Sequence, residues 1–335
     1  MRHLLTYFVG CLLLTAPLSL CAQSGDSDTT YWQRGASLGL DFSQLFQLNP
    51  RQGAGQNRIG AGSAFAYFAK YNKGNVAWDN QFSWQFGIQR LGAGPLSNGE
   101  NIPFQKAIDE LRFSSKLGFK AKEESKIFYA ADFGFLSQLT PTYAGTEEFP
   151  GNFLTDISGN NAIPLAQLFS PAIMTISAGI DFKPNSKWSI YYSPVGGKFI
   201  VVANDDIAAT GVHGNPVDRD GDGNIIGFDN VFAQFGSLLK IAHTNKYLDD
   251  KVTFASNLAL YSNYLQNPQN IDVDWTNELG YTIVKGLQLA VTLNLFYDDD
   301  VRVQITDYDS PNGVSGLGKR VSLTQQLLLK YNVTF

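Results

Sequence analysis

The sequence predicts an all-β fold, an antiparallel transmembrane β-barrel of about 12 strands with short periplasmic turns and long extracellular loops. Three observations carry that prediction. Apolar and polar residues alternate with a period of two in about a dozen long runs. The connections between the runs are short and long by turns. The apolar faces carry no Asp, Glu, Lys or Arg away from the run ends. An Arg or Lys at mid-bilayer on a lipid face costs roughly 2–4 kcal/mol, so clean faces are what a barrel needs.

In chain order the predicted strands are 31–42, 58–71, 76–91, 106–120, 126–139, 171–183, 187–202, 230–244, 251–265, 270–284, 287–299 and 319–335. The third sets Val76, Trp78, Phe82, Trp84, Phe86 and Ile88 against Ala77, Asp79, Gln81, Ser83, Gln85, Gly87 and Gln89. The fourth sets Leu111, Phe113, Leu117 and Phe119 against Glu110, Arg112, Ser114, Lys116 and Lys120. The tenth sets Ile271, Val273, Trp275, Leu279, Tyr281 and Ile283 against Asp272, Asp274, Thr276, Glu278 and Thr282. Arg34 and Asp109 are the charges on outer faces, both near strand ends, where snorkelling to water is cheap. In the seventh strand Trp188, Ile190 and Tyr192 alternate up to Pro194, and Phe199 and Val201 resume out of phase. Pro and paired glycines inside a strand predict a β-bulge within Pro194–Gly197.

The last strand is the most regular. Phe335, Val333, Tyr331, Leu329, Leu327, Leu323 and Val321 share one face, and Thr334, Asn332, Lys330, Gln326, Thr324, Ser322 and Arg320 the other. Gln325 and Leu328 are the exceptions. This run is far longer than an ordinary strand of about 5–6 residues. A long edge strand of a secreted β-sandwich is the competing architecture, but a sandwich does not need faces divided so cleanly in every strand. Ending the closing strand on the periplasmic, lipid-facing side, Tyr331, Val333 and Phe335 read as a signal for barrel-assembly machinery.

The short connections are Asn72-Lys73-Gly74-Asn75, 121–125, 184–186, 245–250 and Lys285-Gly286. The long ones are 43–57, 92–105, 140–170, 203–229 and 300–318, with 266–269 short on the long side. The longest, 140–170, contains Pro141, Pro150 and Pro164 and reads as a free surface loop, with folding over or into the barrel mouth as the alternative.

Composition agrees. Charged residues are 16% of the chain, against about a quarter in soluble domains, and there are 24 Phe, 15 Tyr and 5 Trp. Arg2 and His3 precede an apolar stretch from Leu4 to Leu20 and then Cys21-Ala22-Gln23, the layout of a secretory signal cleaved after Ala22. Leu20 is too large for the position before a lipidated Cys21. The organisation expected is a signal peptide at 1–22 and one outer-membrane barrel domain at 23–335. Cys11 and Cys21 leave with the signal, which excludes disulfides, cysteine nucleophiles and zinc–thiolate sites from the remainder. Without Arg2, 24 basic residues face 30 acidic ones, a net charge of −6, which argues against nucleic acid or an anionic membrane surface as a partner. No apolar run of 18 residues follows the signal, so no transmembrane helix is expected.

Two constellations stand out. Asp218-Arg219-Asp220-Gly221-Asp222-Gly223-Asn224-Ile225, with Asp229, matches a calcium-binding loop of the EF-hand type. Asp218, Asp220 and Asp222 would give carboxylates, Gly223 the sharp turn, Asn224 its carbonyl and Asp229 the final ligand. Calcium is thus the one cofactor suggested, against a solvated Asp/Gly-rich turn. The second constellation follows from register. Matching faces across Lys285-Gly286 requires paired numbers summing near 570 or 572, which sets Asp272 opposite Asp298 or Asp300, with Asp274 and Asp299 nearby. Asp272, Asp274, Asp298 and Asp300 form an inward acidic rim. Like charges placed opposite need basic partners, raised pKa values, a bound cation or plain solvent screening. The cation alternative makes the rim a cation-attracting vestibule.

Catalysis has little support. After the signal only His213 and His243 remain, one in a loop and one on an outer face, and spacing places no serine or carboxylate beside His243. No enzyme is expected.

Several stretches resemble an uncharacterised bacterial outer-membrane family, domain of unknown function 3078. They are Trp32, Gly35 and Gly39-Leu40-Asp41-Phe42-Ser43-Gln44; Trp78-Asp79-Asn80; Ser193-Pro194 with Gly197-Lys198; Tyr261-Ser262-Asn263-Tyr264-Leu265; Asn267 through Trp275; and Asn294-Leu295-Phe296-Tyr297-Asp298-Asp299-Asp300. The resemblance runs over essentially the whole mature chain and implies the outer membrane of a Gram-negative cell and no assigned activity. The function expected is a pore or binding barrel for small polar solutes or ions. The rival is a non-conducting structural or partner-docking barrel with calcium-ordered extracellular loops.

Overall fold

The computed structural model describes residues 31–48, 59–90, 103–147, 149, 151–307 and 314–334. The signal segment and Phe335 lie outside the described residues. From Trp32 onward the chain forms one unit built on a closed barrel of twelve antiparallel strands. They are β1 Trp32–Leu48, β2 Ile59–Lys73, β3 Val76–Arg90, β4 Gln105–Lys120, β5 Ile127–Ser137, β6 Ala172–Phe182, β7 Trp188–Val201, β8 Val231–Tyr247, β9 Val252–Asn263, β10 Ile271–Val284, β11 Leu287–Tyr297 and β12 Ser322–Thr334. Each pairs with its sequence neighbours, and β12 closes the ring on β1, from Gly35 opposite Thr334 to Leu48 opposite Leu323. All twelve predicted strands are present. The largest boundary difference is in β1, which runs to Leu48 because its ladder with β12 resumes after an irregularity between Asp41 and Leu45.

The alternation does what its period requires. Phe65, Phe113, Phe119, Tyr129, Ile176, Tyr192, Phe235, Trp275, Leu279, Tyr281, Leu289, Leu327 and Tyr331 are large apolar side chains exposed on the outer wall. Their neighbours in sequence point into the lumen. The two exceptions in β12 keep to this geometry. Gln325 lies on the outer side opposite Leu293, and Leu328 turns inward, 2% exposed.

The bulge falls where Pro194 and the glycines predicted it. Against β8, Gly196 pairs with Gly236 but Ser193 with Leu238, which leaves Pro194 and Val195 opposite one residue. Against β6, Val195 pairs with Ala178 and Tyr192 with Ile180. Proline supplies no N–H to a ladder, so the extra residue belongs here. Ser193 Oγ ties the bulge down by donating to the carbonyls of Ala178 and Val195 at 2.7 and 2.6 Å.

Outside the barrel the connections carry a helical turn, Asp205–Ala208, and three two-stranded ribbons. These pair Tyr143–Ala144 with Asn152–Phe153, Val217–Arg219 with Ile225–Phe228, and Val303–Thr306 with Val314–Gly318. The long loop after β5 is not the free surface loop expected. Thr142 bridges to Ala166, Phe153 is 1% exposed, and Lys106 Nζ reaches Thr140 O and Thr142 Oγ1 at 2.9 and 2.8 Å. The same lysine corrects the reading of Asp109 as a snorkelling charge. Asp109 is buried, 2.8 Å from Lys106 Nζ, and accepts from Trp84 Nε1, from Thr140 Oγ1 and from the Leu139 and Thr140 amides. It docks the loop onto the rim.

Gly236 sits where no side chain fits: a Cβ there would lie 1.9 Å from Ser262 O. Gly236→Ala is therefore expected to destabilise the barrel by more than about 2 kcal/mol. Refolding into detergent followed by heat-modifiable gel migration should show a loss of the compact band.

Candidate functional site

The lumen holds the chemistry, and the strand order determines what crosses it. The ring runs β1-β12-β11-β10-β9-β8-β7-β6-β5-β4-β3-β2, so β4 and β10 stand six places apart in either direction. Arg112 on β4 nevertheless bonds Asp274 on β10, Nη1 to Oδ2 at 2.8 Å, while its Nε meets Glu110 Oε1 at 2.6 Å. Twelve strands spaced about 4.8 Å apart enclose a ring about 18 Å across even before tilt widens it. An arginine and an aspartate cannot span that distance, so the barrel is pinched between β4 and β10.

Further ion pairs stand above and below this one. Toward the long loops, Lys198 on β7 reaches Asp272 Oδ2 at 2.8 Å and Asp298 Oδ2 at 2.6 Å, with its ammonium 5.6 Å above the Tyr261 ring. Lys240 on β8 pairs with Asp132 on β5. Toward the short turns, Lys116 meets Asp181 at 2.7 Å and Lys183 meets Asp79 at 3.1 Å. Lys330 on β12 holds Glu278 on β10 at 2.7 Å. Between these pairs Ala130, Tyr191, Leu238 and Tyr261, from four different strands, pack into one buried apolar cluster inside the barrel. Tyr191 shares a 2.9 Å hydrogen bond with Ser177.

At the predicted acidic rim, Asp272 and Asp298 share one cation. The β10–β11 ladder has Val273 opposite Tyr297, the 570 register, which continues to Asp272 opposite Asp298. Of the remedies for facing carboxylates, the structure uses a basic partner: Lys198 joins both. Asp274 is held by Arg112, Asp300 accepts from Gln234 Nε2 at 2.6 Å, and Asp299 pairs with Lys319 at 3.0 Å. A vestibule with bare carboxylates is not what these contacts make. Lys198 and Arg112 were legible as inward-facing residues. That they meet these carboxylates was not, because alternation assigns a face and not a partner across the lumen.

The five residues of the calcium motif are not gathered. Asp218 is in the ribbon strand, with its carboxylate leaning toward Gly227. Asp220 closes the ribbon turn instead, accepting from the Asp222 and Asn224 amides and from Asn224 Nδ2. Those bonds, the Asn224 side chain first, hold the Asp220 carboxyl below the usual carboxylate range. Asp229 contributes its backbone, bonded to Pro216 and Asn215. Among the described residues no group of three or more His, Cys, Asp or Glu side chains is placed to hold a metal ion.

The loop ends are drawn together by other groups. His213 is buried, its Nε2 2.7 Å from Leu165 O, which ties the loop after β7 to the loop after β5. Ala203 N bonds Phe169 O, and Asn204 N bonds Ser170 Oγ. Val202, Ile207 and Ala208 form a small buried core under the helical turn. Burial pushes the His213 pKa down, against a smaller opposing effect of its bond to Leu165.

His243 lies on the outer wall, stacked on Trp188 with ring centroids 4.1 Å apart. Register places Ser256 directly opposite it, a neighbour that spacing did not reveal, and Asn277 opposite Ser256. Serine thus stands between histidine and amide, whereas a nucleophilic relay needs histidine in the middle. Ser256 Oγ also accepts from Trp275 Nε1 at 3.0 Å. Of the assembly residues, Tyr331 is exposed on the outer wall between Leu38 and Leu287, and Val333 pairs with Ala36.

The family resemblance read from the sequence holds over part of the chain: residues 43–143 match the model for Protein of unknown function (DUF3078). No curated protein matches the chain. Among solved structures, an outer membrane channel from Pseudomonas putida F1 is similar at 12% identity, covering 93% of this chain and 100% of that one, with a TM-score of 0.40. Outer membrane phospholipase A from Escherichia coli is similar at 12% identity over 92% and 94%, with a TM-score of 0.37. The translocator domain of the autotransporter NalP from Neisseria meningitidis is similar at 9% identity over 97% of each chain, with a TM-score of 0.36. At these identities and scores no residue role passes from them to this chain.

Removing Lys198 leaves Asp272 and Asp298 facing each other unpaired. Lys198→Met should destabilise the barrel by about 3–5 kcal/mol, and adding Asp272→Asn with Asp298→Asn should restore most of it. Urea titration of detergent-folded protein checks both. His213 gives a pH dependence. Its folded pKa lies below the ordinary 6.5, so the unfolded loop binds the proton more readily. The stability of the loop tie is full above that value and falls as pH drops below it. Hydrogen-exchange protection across 203–215, taken relative to the intrinsic rate at each pH, should fall from pH 7.5 to about pH 5 in wild type, and less so in His213→Gln.

Proposed function

We propose that this chain spans the outer membrane of a Gram-negative cell as a barrel closed to solutes, a structural or partner-docking element whose long loops face outward. Membrane placement is supported by a closed sheet wearing an apolar outer wall and by the short/long rhythm of its connections. The closed reading rests on one observation above all, the Arg112–Asp274 bond joining opposite walls. The apolar cluster and the Lys198 and Lys240 pairs support it. They favour this reading over the open pore for polar solutes that the inward polarity alone suggests. The His213 tie and the Asp109 dock give the outward loops a defined shape, as a docking surface needs. The order His243, Ser256, Asn277 supports a non-catalytic protein.

The experiment is single-channel recording in planar bilayers. Wild type should be almost silent. Arg112→Ala with Asp274→Ala and Glu110→Gln, which removes the guanidinium together with the charge of both its carboxylate partners, should give steady conductance steps at least about tenfold more frequent. Regular stepwise conductance from wild type would overturn the closed reading.

A further inference from the structure

The outer wall near the short turns contains a break in its apolar pattern. Register across β1, β2, β3 and β4 aligns three transverse rows. The row nearest the turns is Trp32, Tyr71, Trp78 and Leu117; the farthest is Ala36, Tyr67, Phe82 and Phe113. Between them run Arg34, Ala69, Asn80 and Ser115. A small residue between aromatic neighbours leaves a gap, and a cavity of about 250 Å³ opens there, lined by Arg34, Tyr67, Ala69, Trp78, Asn80 and Phe82 among others.

Its polar groups are preorganised. Trp78 Nε1 donates to Ser115 Oγ at 2.9 Å, and Ser115 donates to Asn80 Oδ1 at 2.8 Å. This turns the Asn80 amide so that its N–H groups remain, one making a long 3.4 Å contact with Ala69 O. Arg34 lies over the Trp32 ring, 5.4 Å from its centroid, and Trp32 packs on Tyr71 and Trp78 at 5.1 and 5.8 Å. Among the described residues no carboxylate pairs with Arg34. Ala69 is four residues from the end of β2 at Lys73, about 10 Å inside the tilted strand end, the depth of the boundary between headgroups and acyl chains.

We propose that this cleft binds the phosphate of one glycerophospholipid, with Arg34 and Asn80 donating to it and the aromatic rows holding the glycerol and first acyl carbons. Arginine's fork fits phosphate oxygens, and a guanidinium with no carboxylate partner among the described residues is open to the mobile anion that a lipid supplies. The inference rests on the membrane placement argued above, and not on whether the lumen conducts.

Native mass spectrometry of the detergent-folded barrel, incubated with phosphatidylglycerol or the matched diacylglycerol, tests it. Wild type should retain phosphatidylglycerol about tenfold better than diacylglycerol. Arg34→Gln should lose that preference, and Ala69→Leu, which keeps Arg34 and fills the floor, should lower retention too. Undiminished retention by Arg34→Gln, unchanged retention by Ala69→Leu, or equal retention of the two lipids by wild type would overturn the site. Heat-modifiable migration establishes that each protein is folded; if Ala69→Leu is not, Arg34→Gln and the lipid pair decide. Failure of wild type itself to migrate as a heat-modifiable band would instead sink the membrane-barrel reading.

Discussion

The structure depends on closure of the backbone ladder. A sheet with an apolar outer wall has no water on that side for an open edge, and an unpaired edge in hydrocarbon costs several kcal/mol per group. Pairing of β1 with β12 removes the edge. Once the ring is closed, register is no longer free, because a slip of one residue would carry every apolar side chain inward and every lysine outward. The irregularities are placed where closure tolerates them. The bulge at Pro194 and Val195 adds one residue against both neighbours of β7, so the faces of Tyr192 and Phe199 are reconciled despite their broken phase.

Closure also creates the problem the lumen solves. Charges kept off the outer wall must go inside, where a charge left without a partner is costly and a matched pair is tolerated. Lys198 between Asp272 and Asp298, Lys240 with Asp132 and Lys116 with Asp181 are that matching. Pairing across the ring has a mechanical consequence. Arg112 and Asp274 meet only if their walls approach, and beside that crossing Ala130 packs against Tyr191, Leu238 and Tyr261 of the adjacent strands β7, β8 and β9, an apolar cluster inside the lumen. Neutralised carboxylates and filled space both favour the closed reading proposed above.

The ends of the barrel follow a different logic. Outside the membrane span, loops are ordered by local polar contacts: His213 on Leu165, Asp109 on Thr140, Asp220 on Asn224. The aspartates of 218–229 illustrate how a motif and its geometry part. Their spacing suits a calcium loop, but a cation site needs the carboxylates turned to one centre. In the ribbon, strand pairing places Asp218 across from Gly227 and turn formation uses up Asp220.

By itself the sequence determined the class of fold, the number of strands, the face of almost every strand residue, the bulge and, to within two alternatives, the β10–β11 register. All of these follow from a side-chain period of two, from proline's missing N–H and from turn length, which act within or between adjacent strands. Tertiary structure alone decided which inward charges meet, that Ser256 lies beside His243, that the rows flanking Arg34 align into a cleft, and that the barrel is pinched. Those depend on registers accumulated over several strands and on the cross-section of the closed ring, and a pattern along one strand carries no information about the wall it faces.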